Sequence, residues 1–106
     1  MYSDAYFEQM YGGIPAITQI DVLMKLLDDA GIPYEVTQNF GRPQVWYPNQ
    51  AQAVCDAICH WGSYGHEKGL IEIMGLVQGD DTVEGSLTAQ EVFNRIQQHY
   101  EDNYRI

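Results

Sequence analysis

Residues 34–61 read Tyr34-Glu35-Val36-Thr37-Gln38-Asn39-Phe40-Gly41-Arg42-Pro43-Gln44-Val45-Trp46-Tyr47-Pro48-Asn49-Gln50-Ala51-Gln52-Ala53-Val54-Cys55-Asp56-Ala57-Ile58-Cys59-His60-Trp61. How this stretch is read decides the fold. Tyr34-Glu35-Val36-Thr37 and Gln44-Val45-Trp46-Tyr47 both alternate with period 2, and Asn39-Phe40-Gly41-Arg42 between them is a turn, so the pair reads as a β-hairpin. Pro48-Asn49 closes it. A lone hairpin is marginally stable in water and requires a third strand or a covering helix. Residues 51–61 fit two templates. On a helix, Ala51, Val54, Cys55, Ile58 and Cys59 form a stripe that Asn49 caps. On a strand, Val54 and Ile58 share one face while Cys55, Cys59 and Trp61 share the other. Periodicity does not separate the two; the hairpin's need for a neighbour favours the strand.

On the N-terminal side, Thr18 followed three residues later by Asp21 approximates a capping box. Ile20, Leu23, Met24 and Leu27 make an apolar stripe that Gly31 and Pro33 end near Ala30. Further upstream, Tyr6, Phe7, Met10 and Tyr11 cluster on one helical face, and Gly12-Gly13-Ile14-Pro15 breaks the pattern. Residues 1–13 therefore read as an aromatic arm that either folds back or joins two copies in a homodimer. On the C-terminal side, Gly62-Ser63-Tyr64-Gly65 is a turn. Leu70, Ile71, Ile73 and Met74, with Glu67, Lys68 and Glu72, suggest a short helix, with a strand as the alternative. Residues 78–86 read as a polar, acidic loop. Thr88-Ala89-Gln90-Glu91 is a capping box for a last helix buried along Ala89, Val92, Phe93, Ile96 and Tyr100. The expected fold is one α+β domain over residues 1–106: a helix, a three-stranded antiparallel meander, then helices packed on one sheet face, in the order α-β-β-β-α-α. Double-stranded-RNA-binding domains share the α-β-β-β-α part of that order, but the basic residues they need are missing.

The 106 residues (12.1 kDa) suffice for one core, and 45% hydrophobic with 19% charged residues describes a folded chain. No apolar run approaches the roughly 20 residues of a membrane span, and Met1-Tyr2-Ser3-Asp4 has no signal-peptide pattern. Five basic residues against 15 acidic ones give a net charge of −10. Such a chain repels phosphate backbones, so direct nucleic-acid binding is not expected. Cys55 and Cys59 read as buried free thiols in a reducing cytoplasm, because a small secreted domain carries a framework of bridges.

Four chemistries present themselves. Cys55, Cys59, His60 and His66 supply metal-ligand types, but on a strand His60 points away from Cys59 and the spacing of close ligand pairs is absent. No metal and no cofactor is expected. Ser63 or Cys59 near His60 and His66, with Asp56 or Glu67 as orienter, supplies the residue types of a triad without the spacing of a nucleophile elbow. No catalytic residue is assigned. Gly62, Gly65 and Gly69 with Lys68 form a loose anion-binding turn over residues 62–69. Residues 34–66 are nearly neutral, Arg42 standing against Glu35 and Asp56, so a small anionic ligand there would meet Arg42, His60, Tyr64, His66 and Lys68. Finally, Asp21, Asp28, Asp29, Asp80, Asp81, Glu84 and Glu91 are the acidic residues expected to face a partner. A host protein with a basic groove, of the kind that holds nucleic acid, is the partner whose charge they match.

The segments Ser63-Tyr64-Gly65-His66-Glu67, Gly69-Leu70-Ile71-Glu72-Ile73-Met74-Gly75-Leu76 and Gly85-Ser86-Leu87-Thr88-Ala89-Gln90-Glu91-Val92-Phe93-Asn94-Arg95-Ile96, with Gly31-Ile32-Pro33-Tyr34, resemble small uncharacterised proteins of phages and prophages of Gram-positive bacteria. The resemblance covers roughly the C-terminal half. It implies a bacterial cytoplasm and an accessory role, and it brings no activity or catalytic residues with it. Sequence therefore points to a non-enzymatic protein binder, with a small-anion binder using the 62–69 turn as the alternative.

Overall fold

The computed structural model describes residues 14–104, so the aromatic arm and the homodimer built on it lie outside the described residues. The hairpin is present. Strand β1 (Glu35–Asn39) pairs antiparallel with β2 (Arg42–Tyr47) around a two-residue turn, Phe40-Gly41, with both residues at positive φ (52° and 72°). That is the turn whose twist matches paired strands, and Gly41 adopts it without steric cost. Strand β3 (Cys55–Ile58) pairs antiparallel with β2, setting Val45 opposite Ala57 and Tyr47 opposite Cys55. Residues 55–58 thus resolve as strand.

The sheet is larger than the expected three strands. Residues 71–74, read as a short helix, form strand β4 (Ile71–Met74), which pairs with β3; the helical signal of Glu67 and Lys68 belongs to a single 3-10 turn, His66–Lys68. Ile71 and Ile73 are buried while Glu72 and Met74 are not, a period of 2 that four residues cannot display against a helical template. Within the stretch read as an acidic loop, Val83–Leu87 forms strand β5 on the far side of β4. Its signal is interrupted by an irregularity: Ile73 faces Glu84 but Ile71 faces Leu87, so β5 carries one extra residue, and Ser86 there has φ 57°. Among the described residues the order is helix, five strands in a β1-β2-β3-β4-β5 meander, helix, rather than α-β-β-β-α-α.

Both helices carry the boundary chemistry expected of them. In α1 (Gln19–Ala30) the Thr18 hydroxyl accepts from the Ile20 amide, the Asp21 carboxylate accepts from the Thr18 amide at 2.8 Å, and Gly31 ends the helix in the left-handed region. In α2 (Ala89–Asn103) Thr88 and Glu91 form the reciprocal pair. The Gln19 side-chain carbonyl accepts from the Ala89 amide at 2.8 Å, so the two helices begin at the same end of the sheet.

The inner face of the sheet, Val45, Tyr47, Cys55, Ala57, Ile71, Ile73 and Leu87, is buried together with Leu23 and Leu27 of α1 and Val92, Phe93 and Ile96 of α2. Each fully buried Leu or Ile contributes on the order of 1.5–3 kcal/mol by leaving water. The helices pack on each other and against this face, α1 along β2 and α2 along β4. The outer face carries Thr37, Gln44, Trp46, Asp56, Ile58, Glu72, Met74 and Val83 with no second layer among the described residues. Its polar members bond to one another: Trp46 Nε1 donates to Thr37 Oγ1 at 2.8 Å and Gln44 Nε2 to Asp56 at 2.9 Å. No helix of the described residues is long and apolar enough to cross a membrane.

Candidate functional site

The segment between β3 and β4 collects Cys59, His60, Ser63, Tyr64, His66 and Lys68. It is held by its own polar atoms. Ser63 is buried; its hydroxyl donates to the His60 carbonyl at 2.8 Å and accepts from the His60 amide at 3.1 Å. His66 Nδ1 lies 2.6 Å from the Ser63 carbonyl, and His60 Nδ1 lies 2.7 Å from the Trp61 carbonyl. A carbonyl only accepts, so both rings carry their proton on Nδ1 in these bonds, which leaves His60 Nε2 to accept from Asn39 Nδ2 at 3.3 Å. The Ser63 hydroxyl is bonded to His60 backbone atoms rather than to an imidazole nitrogen. Burial pushes the Cys59 thiol up to about 11 and the Cys55 thiol up to about 12, far from thiolate chemistry. Asp56 accepts from Gln44 on the outer sheet face, and Glu67 lies 3.4 Å from His66 Nδ1. Among the described residues no group of three or more His, Cys, Asp or Glu is placed to hold a metal ion.

The five residues expected around a small anion are set to different tasks. Arg42 reaches along the chain leading into α1, donating from Nη1 to the Pro15 carbonyl at 3.0 Å and from Nη2 to the Ile14 carbonyl at 3.4 Å. His60 and His66 are engaged as described, and Lys68 is exposed at the end of the 3-10 turn. Tyr64, two-thirds exposed, packs against Gly85 and Ser86 of β5.

There Tyr64 forms one wall of an open groove of about 600 Å³, whose other lining residues are Asp81, Thr82, Val83, Glu84, Gly85 and Ser86. The lining holds two acidic side chains and no basic one. Tyr64 is fixed from three sides. Its amide donates to Glu72 Oε1 at 3.0 Å, its carbonyl accepts from the Ser86 amide at 3.1 Å, and a Cβ on Gly85 would lie 2.2 Å from its own Cβ. Gly85 is the residue that lets the tyrosine approach so closely. The opposite rim is anchored as well. Glu84 accepts from Arg95 Nη1 at 2.8 Å and Nη2 at 3.0 Å and from the Gln78 amide at 2.9 Å, while Arg95 also donates to the Leu76 carbonyl. The guanidinium, then the Gln78 amide, hold the Glu84 carboxyl down at about 2, and Glu84 in turn raises Arg95. The groove was not expected from sequence. Its strand was hidden by Gly85-Ser86, and only the exposed aromatic in a glycine-rich turn pointed to it.

The acidic residues divide in two. Asp21 and Glu91 cap the helix starts, and Glu84 holds Arg95. Asp28 accepts from the Tyr34 hydroxyl at 2.8 Å, and Asp29 pairs with Lys25 in an exposed i,i+4 bridge. Burial, reinforced by Asp28, pushes the Tyr34 hydroxyl up to about 12. Asp80 and Asp81 are exposed on the β4–β5 loop. Strand directions gather several of these at one end of the molecule. Glu35 faces Trp46, Tyr47 faces Cys55 and Met74 faces Val83, so the start of β1 and the β4–β5 loop share that end. The last turn of α1, which leads into β1, lies there too, as does the last turn of α2, whose His99 Nδ1 is 2.8 Å from the Tyr47 hydroxyl. Asp28, Asp29, Asp80, Asp81, Glu101 and Asp102 therefore lie toward the same end of the sheet.

Comparison with protein-family models, with curated proteins and with solved structures finds no match for this chain.

Proposed function

We propose that this chain is a non-enzymatic binding protein that docks its acidic pole on a basic surface of a host protein, as an accessory factor of the phage or prophage kind acting in a bacterial cytoplasm. The observation that carries this reading is where the carboxylates stand. Asp28 and Asp29 occupy the last turn of α1, and Glu101 and Asp102 the last turns of α2, with no basic residue in either last turn. The C-terminal end of a helix is the negative end of its dipole, where each anion costs about 0.3–1 kcal/mol. Folding stability would put lysine or arginine there. Tyr34 and Lys25 offset part of that cost at Asp28 and Asp29, and a cationic partner surface would offset the rest.

The charge also selects the partner. A net charge of −10 disfavours nucleic acid and favours a cationic protein surface, with fast, salt-sensitive association. A groove that ordinarily accepts a phosphate backbone presents that chemistry. The test is capture from a bacterial lysate on the immobilised chain. The account expects a protein that is released at about 0.5 M salt, where the screening length falls to a few ångströms. The same protein is displaced by duplex DNA and lost when Asp28, Asp29, Asp80 and Asp81 are replaced together by Asn. Capture indifferent to salt and to that replacement overturns the reading.

A further inference from the structure

We propose that the groove beside Tyr64 is a receiving pocket for an arginine side chain of an extended basic segment on the partner. The inference rests on the docking reading above and names the place where that contact becomes specific. Three observations support it. The groove has a volume of about 600 Å³, within the range of pockets that enclose small ligands. One wall is a tyrosine ring, two-thirds exposed, whose backbone is pinned by Glu72 and Ser86 and whose Cβ rests against Gly85. The backbone that presents the ring is thus fixed in place, and an exposed aromatic on a fixed backbone has the character of a hot-spot anchor.

The third observation is charge. Of the acidic residues at the groove, Glu84 is committed to Arg95 and Gln78, so Asp81 is the carboxylate at the rim that remains to meet a ligand, with Asp80 next to it in the chain. No basic side chain lines the groove, so its one uncommitted charge, Asp81, favours a cation over an anion. A guanidinium satisfies both walls at once: its plane stacks on the Tyr64 ring while its N–H fork bonds the Asp81 carboxylate. An ammonium offers a point charge without the plane, so arginine is favoured over lysine.

The probe is a fluorescein-labelled peptide of alternating arginine and glycine, with lysine and citrulline counterparts, titrated into the full chain by polarisation at low salt. The account expects the arginine peptide to bind, the lysine peptide to bind several-fold more weakly and the citrulline peptide not to bind. Tyr64→Leu and Asp81→Asn each weaken the arginine peptide by about two- to fivefold, the loss of one solvent-exposed cation–π or charge-assisted contact. Tyr64→Phe, which keeps the ring, retains the affinity, and Asp29→Asn on α1 changes it by less than about twofold. Thermal unfolding of each variant confirms that the fold is intact. Equal binding by wild type, Tyr64→Leu and Asp81→Asn overturns the pocket, and so does binding of citrulline as tightly as arginine. If Asp28→Asn/Asp29→Asn abolishes binding in that case, the acidic-pole reading stands without the groove. Failure of wild type to bind any peptide also overturns the pocket, while lysate capture decides the broader reading independently.

Discussion

Tyr64 and Gly85 show how one residue's identity is set by another's position. A side chain at Gly85 would begin 2.2 Å from the Tyr64 Cβ, so Gly85→Ala must displace the tyrosine or bend β5. The expected cost is about 1–3 kcal/mol, read as a lowered urea midpoint at unchanged slope. The two cysteines illustrate the opposite case, residues whose chemistry the fold silences. With their thiols pushed up to about 11 and about 12 by burial, Cys59 and Cys55 should resist iodoacetamide at about pH 8 in the native chain and react fully in denaturant, as followed by mass spectrometry. Rapid labelling of either thiol without denaturant would contradict the buried placement. At this scale the sequence was informative about what the residues are: two thiols without metal-ligand spacing, and a serine and two histidines without an elbow. It was silent on why Ser63 is where it is, because the partner of its hydroxyl is a backbone carbonyl three residues away.

Among elements, the caps were the most legible feature. Thr18 with Asp21 and Thr88 with Glu91 are local patterns, fixed by bonds within four residues, and both form as read. Thr88→Ala should cost about 1 kcal/mol, measured by chemical denaturation, because the Glu91 amide loses its acceptor. The strands were legible in proportion to their regularity. β1 and β2 alternate cleanly and are joined by a tight turn, whereas β4 is too short to show its period and β5 is disguised by an extra residue at Gly85-Ser86. Nothing local in Val83-Glu84-Gly85-Ser86-Leu87 announces a strand; pairing with β4 makes it one. The Glu84–Arg95 link that ties β5 to α2 depends on long-range contact in the same way. Its carboxyl titrates near 2 in the folded chain against an ordinary value of about 4.3. The pair therefore stabilises the fold fully above about pH 5, and that stabilisation disappears as the pH falls toward 2. The stability difference between wild type and Glu84→Gln should be constant at neutral pH and close across that acidic window. A difference that persists unchanged at pH 2 would show that the carboxylate form is not what matters.

For the whole molecule, the class was legible and the site was not. Alternating and helical periods give α+β without further information, and the charge follows from counting. The gathering of Asp28, Asp29, Asp80, Asp81, Glu101 and Asp102 at one pole depends on strand direction, on two helices starting from the same end, and on a β4–β5 loop whose flanking strands were themselves hidden. A list of acidic residues cannot distinguish those that cap helices from those left on the surface; the fold does, by giving Asp21 and Glu91 amides to hold and leaving Asp80 and Asp81 exposed on the β4–β5 loop. The proposed binding site is a surface, and the measurement that reads a surface directly is backbone amide chemical-shift mapping as the arginine–glycine peptide is added. The account predicts shifts concentrated on Tyr64, Gly65 and residues 80–86, spreading to the last turns of the two helices. Shifts centred instead on His60, His66 and Lys68, or scattered over the molecule without a focus, would contradict it.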